Sequence, residues 1–164
     1  METRTYNVYA YDELPKEAKE KAIQRWIEHD DLPWLEESLN EYLAELLHKN
    51  KIKADEAAVQ YSLSYCQGDG AMFTLKGMWK KYHITVKQSG HYYHYNSKDI
   101  FITDENDNDA PEAIYNTFND LYVSIAKELA KAGYKYIEDS QSEESVAETF
   151  RANEYMFTLD GKID

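Results

Sequence analysis

Residues 58–103 carry successive short segments rich in β-branched and aromatic residues, and this region constrains the fold more than any other. The first segment, residues 58–66, alternates between apolar and polar side chains, as a strand with one buried face does. Further β-like segments follow at 71–79, 82–88 and 91–103, with turn residues between them. Because short turns join antiparallel neighbours, this region predicts an antiparallel meander.

Helical periodicity flanks the meander on both sides. The predicted helices are residues 13–29, 34–49, 110–133 and a short segment within 140–153. Strand-like segments at 4–11 and 154–163 begin and end the chain. This order predicts a single α+β domain over residues 1–164. Its antiparallel sheet would have about five to six strands, with two N-terminal helices and one long C-terminal helix packed on it.

Polar and glycine residues mark the predicted helix ends. Asp12 and Asp109 each precede a helical pattern and are predicted N-caps. Gly133 is predicted to end the long helix, because glycine readily adopts the left-handed conformation that follows a helix. The last helix is predicted to be capped by Ser140 or Ser142.

The sequence shows no signal for export or for a membrane. The N-terminal residues METRTYNVYAYDEL lack the apolar core of a signal peptide, and no apolar run approaches the ~18 residues of a membrane span. The single cysteine, Cys66, cannot form an internal disulfide, which suits a reducing compartment. We therefore expect a cytoplasmic protein.

The segment Gln67-Gly68-Asp69-Gly70 lies between the first two strands of the meander. Asp-Gly between β-like runs is typical of a tight hairpin turn, and predicts a positive φ at Gly70. A phosphate-binding loop would need a following helix N-terminus and usually a lysine, whereas a strand follows here. The turn is the favoured interpretation, and a ligand loop formed by these four residues stays the alternative.

The histidines do not have the spacing of a metal site. His91 and His94 are three residues apart on a predicted strand, which places them on opposite faces, and His83 lies on a neighbouring strand. Cys66 has no lysine or arginine nearby to lower its pKa and matches no nucleophile motif. We therefore predict that the chain binds no metal or cofactor and is not an enzyme.

The acidic stretch DENDND resembles the start of a calcium loop and then departs from it. Asp104, Asn106 and Asn108 have the first three ligand spacings. The position of the required glycine holds Asp109, and the position of the bidentate glutamate holds Tyr115. A solvated acidic loop is therefore predicted.

Negative charge is concentrated towards the C-terminus. The net charge is −13; residues 1–98 have a net charge of −2 and residues 99–164 a net charge of −11. Such a field repels nucleic acid and anionic membranes and attracts basic protein surfaces. The alternative is that acidic residues only keep a chain with 15 tyrosines soluble.

Four segments resemble a group of small proteins encoded by phages and other mobile elements. They are YDELPKEAKEKAIQRW, YSLSYCQGDGAMF, HYYHYNS and ANEYMFTLDGK. The group shares an L-x-x-E-A-K-x-x-A helix, an S-Q-G-D-G-A-x-F hairpin and an Asn-Glu-Tyr sequence before Phe-Thr. This chain has Cys66 where the hairpin usually has serine. The resemblance, to proteins often labelled antitoxin-like, implies a phage or mobile-element origin and a bacterial host cell.

These features predict a non-enzymatic inhibitor of a host nucleic-acid-handling defence protein, similar to an anti-CRISPR protein. Acidic side chains would imitate a nucleic acid strand and occupy a basic groove, with exposed tyrosines as anchors. The predicted contact residues are Asp104, Glu105, Asp107, Asp109, Glu138, Asp139, Glu143, Glu144 and Glu148. Two alternatives remain: an antitoxin that neutralises a cognate toxin, and a ligand-binding or catalytic domain centred on Gln67, Asp69, His91 and His94.

Overall fold

A computed structural model describes residues 1–164 and divides the chain into two compact units. The smaller unit contains Met1–Leu32 and Ile137–Asp164, and the larger unit contains Pro33–Tyr136. The predicted α+β class is confirmed: four helices accompany six strands. The strands form two antiparallel sheets, one of four strands and one of two. No helix combines the length and apolarity that crossing a bilayer requires.

The helices are α1 (Lys16–Glu28), α2 (Leu35–Lys49), α3 (Glu112–Ser140) and α4 (Glu143–Ala152). The strands are β1 (Tyr9–Ala10), β2 (Ile52–Ser62), β3 (Gly70–Trp79), β4 (Tyr82–Gln88), β5 (Lys98–Thr103) and β6 (Met156–Phe157). A short 3₁₀ turn at Tyr11–Glu13 precedes α1.

The larger unit is the predicted meander, with strands in the order β2-β3-β4-β5. One face of this sheet carries the apolar residues of its period-two pattern and packs against helices. From α3, the ring of Tyr122 stacks on Phe73 at 4.2 Å, and Phe118 lies 5.3 Å from the Trp79 ring, both measured between ring centroids. The other face of the sheet carries Lys76, Met78 and Phe101, which are exposed.

Strand β2 begins at Ile52, six residues before the predicted start at residue 58. Residues 53–58 are exposed although β2 pairs with β3 along its length, with a bulge between Ala54 and Glu56. Their strand conformation comes from backbone pairing at a sheet edge rather than from burial of one face. The alternation rule therefore cannot detect it, and the charged residues and the bulge are common at edge strands.

The predicted end of the long helix at Gly133 is wrong, because α3 continues to Ser140. Gly133 is buried inside the helix, and a Cβ at this position would overlap Cδ1 of Leu63. The glycine therefore allows the loop after β2 to approach the helix closely, which is the other common reason for a glycine within an element.

Two predicted N-caps are wrong and one is confirmed. Pro15 is the N-cap residue of α1, and the carboxylate of Asp12 instead contacts Arg151 with a shortest distance of 2.8 Å. The first turn of α3 is bonded to the carbonyl of Pro111, while Asp109 pairs with Thr103 in a β-bridge. Ser142 caps α4, since its Oγ accepts a hydrogen bond from Ser145 N at 3.2 Å.

The smaller unit has an aromatic core between α1, α4 and the two-stranded sheet β1-β6. Phe150 and Phe157 are fully buried and lie 5.0 Å apart, and Trp26 meets Phe150 edge-on at 5.5 Å, both measured between ring centroids. The predicted strands 4–11 and 154–163 pair with each other through only two residues each, and Ile163 forms a further isolated bridge with Phe157. Residues 1–7 are exposed and belong to no strand. Their β-rich composition does not produce a strand because no neighbouring strand lies beside them.

Candidate functional site

The loop of residues 63–69, between β2 and β3, is organised around the carboxylate of Asp69. Its Oδ2 accepts hydrogen bonds from Ser64 N at 2.7 Å, from Cys66 N at 3.1 Å and from the hydroxyl of Tyr134 on α3. Two serine hydroxyls donate to Oδ1 at 3.2 and 3.3 Å. Because a carboxylate offers about four lone-pair positions, these donors fill it. Asp69 therefore holds the loop in its conformation.

The electrostatics of this pair keep the carboxylate charged and the phenol protonated. Burial raises the pKa of Asp69, but hydrogen bonds from Tyr134 and from the Cys66 and Ser64 backbone outweigh it and hold the pKa below its ordinary value. Burial, together with the hydrogen bond to Asp69 and its charge, raises the pKa of Tyr134 to about 12. Tyr134 therefore remains a hydrogen-bond donor to Asp69 across the physiological range.

The QGDG segment does join two strands as predicted, but its backbone differs from the predicted turn. The positive φ lies at Gly68, at 87°, and at Tyr65, at 58°, so the prediction for Gly70 is wrong. Gly70 is instead the first residue of β3, where a Cβ would lie 3.0 Å from Cδ2 of His94. The turn is longer than two residues because the Asp69 carboxylate replaces cross-strand pairing from Leu63 onwards.

The second loop, residues 89–97, lies between β4 and β5. The predicted strand 91–103 begins only at Lys98, so His91 and His94 are loop residues and strand alternation does not apply to them. His94 Nδ1 accepts a hydrogen bond from Asn96 N at 3.2 Å. Nowhere in the structure do three His, Cys, Asp or Glu side chains converge as a metal site requires.

The two loops contact each other at the end of the four-stranded sheet. A Cβ on Gly68 would lie 3.1 Å from Cδ1 of Tyr92, so this ring lies against the Gly68 backbone. Between the loops is an open cleft of about 550 Å³. Its lining residues are Gln67, Gly68, Tyr92, His94 and Ser97. Of the four residues in the alternative ligand site, Gln67 and His94 line this cleft. Asp69 is bonded within its own loop, and His91 is exposed outside the lining.

Paired glycine substitutions test the contact between the loops. Gly68 and Gly90 have nearly the same φ, 87° and 82°, but a Cβ at Gly90 would meet nothing within 4 Å. Both Gly→Ala variants should lose about 1–2 kcal/mol, the cost of a left-handed alanine. Gly68→Ala should lose about 1 kcal/mol more, because the Tyr92 ring must move. Urea unfolding measures both; equal losses would show that the loop contact stabilises nothing.

Acid should remove the stabilisation that Asp69 provides. A carboxyl whose pKa is lower in the folded than in the unfolded state stabilises the fold above its unfolded pKa of about 3.9. That contribution is lost as the pH falls through the lower, folded value. Asp69→Asn should therefore be less stable than wild type at pH 7, with the difference shrinking below about pH 4. Denaturant unfolding at pH 7 and pH 3 measures this, with the exposed Asp120→Asn as control; a pH-independent difference would contradict it.

The predicted acidic contact residues belong to both units. Residues 104–109 form a loop of the larger unit, in which Asp104 Oδ1 accepts hydrogen bonds from the backbone of Asn106 and Asn108 at 2.8 and 3.0 Å. Asp104 thus shapes the loop. Glu105, Asp107 and Asp109 are exposed.

The other five acidic residues belong to the smaller unit and form what we term the acidic surface. They are Glu138, Asp139, Glu143, Glu144 and Glu148, and all five are exposed. The smaller unit has 16 acidic and seven basic residues, a net charge of −9, whereas the larger unit has 15 and 11, a net charge of −4. Most of the net negative charge thus belongs to the 60 residues of the smaller unit.

The acidic residues of α4 include a favourable pair in the first turn and an unfavourable pair four residues apart. Glu143 and Glu144 lie in the first turn, where the helix dipole stabilises negative charge. Glu144 and Glu148 are four residues apart, and like charges at that spacing destabilise an isolated helix by a few tenths of a kcal/mol. The nearest arginine in sequence, Arg151, forms its salt bridge with Asp12. The helix dipole stabilises the first pair, and the positive charge of Arg151, three residues further along the helix, attracts Glu148 and partly offsets its repulsion from Glu144.

Tyr134, Tyr92 and Ser97 were not among the residues predicted from the sequence. Tyr134 is 65 residues from Asp69, and no local pattern connects them. The loop containing Tyr92 and Ser97 had a usable signal, since SGHYYHYNS has the glycine, serine and asparagine content of a loop.

Comparisons with models of known protein families, with curated proteins and with solved structures find no match to this chain.

Proposed function

We propose that this chain is a non-enzymatic inhibitor of phage or mobile-element origin, similar in action to an anti-CRISPR protein. Its acidic surface would occupy the basic nucleic-acid groove of a host defence protein. The observation that carries the proposal is the net charge of −9 on the smaller unit, with five exposed carboxylates at the end of α3 and on α4.

The like charges of Glu144 and Glu148 favour a partner of opposite sign. Their mutual repulsion is unfavourable in the isolated helix, and attraction to a basic surface would offset it. Single exposed ion pairs contribute little, often below ~1 kcal/mol. Several carboxylates facing one basic groove would act together, accelerating association and making it sensitive to salt.

The filled carboxylate of Asp69 weighs against the catalytic alternative. Its five hydrogen bonds come from Ser62 at the end of β2, from Ser64 and Cys66 in the loop and from Tyr134, and together they occupy its lone pairs. The residues around the cleft, such as Gln67 and Tyr92, offer contacts rather than a nucleophile with its base. Binding to another macromolecule is therefore the function that these side chains suit best.

Affinity capture from a bacterial lysate tests the proposal. The bait is the wild-type chain or a variant with Glu138→Lys, Asp139→Lys, Glu143→Lys and Glu144→Lys. A matched control carries four lysines at the exposed positions Glu36, Glu37, Glu41 and Glu45 of α2, two of which also lie in a first helical turn. Circular dichroism and unfolding curves confirm that each bait is folded.

We expect wild type and the α2 control to capture a nucleic-acid-binding protein that salt or added DNA releases, and the α3–α4 variant to lose it. Equal capture by all three baits would refute the acidic surface as the binding site. Capture of a toxin encoded next to this chain, through the same residues, would identify the antitoxin alternative instead.

A further inference from the structure

The two loops at the end of the four-stranded sheet form a tyrosine-rich surface with little charge of its own. Residues 89–97 consist only of Ser, Gly, His, Tyr and Asn, and Asp69 is the one acidic or basic residue in 63–69. This surface lies in a chain with a net charge of −13 and 30% charged residues. Loops of this composition on a β-scaffold are typical of antibody paratopes, in which tyrosine supplies most of the contact area.

Two tyrosines of this surface are unusually exposed and nevertheless supported. Tyr65 is 66% exposed and Tyr92 is 65% exposed. The Tyr65 ring lies 4.8 Å from the ring of Tyr134, measured between centroids, and the Tyr92 ring lies against the backbone of Gly68. Each ring thus has a neighbour that restricts it while most of its area remains accessible. Tyrosines held in this way lose little entropy on binding.

The backbone of both loops is also fixed before any partner arrives. Asp69 holds the first loop through its five hydrogen bonds. In the second loop Ser97 N donates to the His94 carbonyl at 2.8 Å, and Ser89 N donates to the Ser97 carbonyl at 2.9 Å. A preorganised surface loses less conformational entropy on association. The loops are therefore suited to recognising a partner as well as to connecting strands.

The chemistry of the cleft favours a guanidinium group. Its lining residues are Gln67, Gly68, Tyr92, His94 and Ser97, which include an aromatic ring and side chains with oxygen acceptors but no lysine or arginine. The adjacent Asp69 is held ionised by its lowered pKa. A planar cation can stack on an aromatic face and donate to oxygen acceptors in its own plane, which an ammonium group does less well.

We propose that the tyrosine-rich surface is a second recognition site, and that its cleft binds an arginine side chain of a basic partner protein. The site is independent of the acidic surface, since it consists of other residues in the larger unit. A single-stranded nucleic acid could also stack on tyrosines, but the net charge of −13 opposes its approach.

NMR titration of the ¹⁵N-labelled chain tests this site without any host protein. The ligands are N-acetyl-arginine amide and N-acetyl-lysine amide at equal ionic strength, and a thymidine oligonucleotide. Arginine amide should shift the backbone amides of Gln67, Gly68 and Ser97 saturably, at concentrations about fivefold below those that lysine amide requires. Tyr92→Ala should weaken arginine binding about three- to fivefold, and Gln67→Ala should weaken it about twofold. Tyr6→Ala removes a ring that is 68% exposed in the smaller unit, and it should leave arginine binding at the loops unchanged.

Spectra of the two loop variants should superimpose on wild type outside residues 63–69 and 89–97, which separates lost binding from lost folding. Equal shifts from lysine amide would overturn the inference, because charge attraction alone would then explain them. The absence of saturable shifts at the loops, or a stronger response to the oligonucleotide, would also overturn it. None of these results depends on the acidic surface.

Discussion

Tyr122→Phe is expected to lower the free energy of unfolding by about 2–4 kcal/mol, although it removes one oxygen atom. Tyr122 is fully buried, and its hydroxyl donates to the Phe73 carbonyl at 2.7 Å and accepts from Phe73 N at 2.9 Å. On its other side Phe73 faces Val59, whose N–H donates to Asn40 instead of to β3. Strand β4 pairs with β3 only from Leu75 onwards.

The phenylalanine would therefore leave a buried N–H and a buried C=O without partners, at about 1–3 kcal/mol each. Urea unfolding compares this variant with Tyr115→Phe, which alters an exposed tyrosine on the same helix and should lose less than about 0.5 kcal/mol. Equal stability of the two variants would mean that water or a shifted backbone satisfies Phe73. The account of how β3 is bonded beyond the end of β4 would then be wrong.

Gly77→Ala should destabilise the larger unit by about 2–4 kcal/mol. A Cβ at Gly77 would overlap the carbonyl oxygen of Lys53 and lie 2.8 Å from Cα of Ala54. Both neighbours are backbone atoms of the bulged part of β2, so no side chain can rotate away. Either β2 must leave β3 at this point or the bulge must move.

Thermal unfolding should show the midpoint of the larger unit falling by at least about 5 °C. Amide exchange should accelerate along residues 52–56 before it does elsewhere in the sheet. The control is Lys76→Ala, which alters the exposed residue immediately before Gly77 in β3 and should change the midpoint little. A Gly77→Ala midpoint as high as that of the control would show that the strands are not in the close contact described.

The meander and helices α1 and α2 could be predicted because their side chains are sorted by burial. Residues such as Phe73 and Leu75 in β3, or Leu39 and Leu43 in α2, are buried at the period of their element. The prediction was wrong wherever tertiary contact, rather than the burial of one face, decided the local structure. The edge part of β2 is exposed, and Gly133 is needed for its approach to Leu63 rather than for a helix end.

The candidate sites were predictable only in part, for a similar reason. The last helix was predicted, and with it the positions of Glu143, Glu144 and Glu148, whereas Glu138 and Asp139 were expected beyond the end of the long helix and lie instead within α3. The role of Asp69 depends on Tyr134, and the meeting of the two loops depends on how far β2 and β4 extend. How far each strand extends depends on strand register. Local sequence patterns do not determine the register when an edge strand is charged.

The central claim, that the acidic surface takes the place of nucleic acid, is tested most directly by association kinetics with the captured partner. Rates are measured at low and high salt, with and without a nucleic acid competitor, for wild type and for the variant reversed at Glu138, Asp139, Glu143 and Glu144. The account predicts that wild-type association is at least about tenfold faster than that of the variant at low salt. It also predicts that the advantage shrinks at salt above 0.1 M, where charges are screened beyond ~10 Å, and that nucleic acid competes for the partner. Association that is independent of salt, unaffected by the four reversals and indifferent to nucleic acid would contradict it.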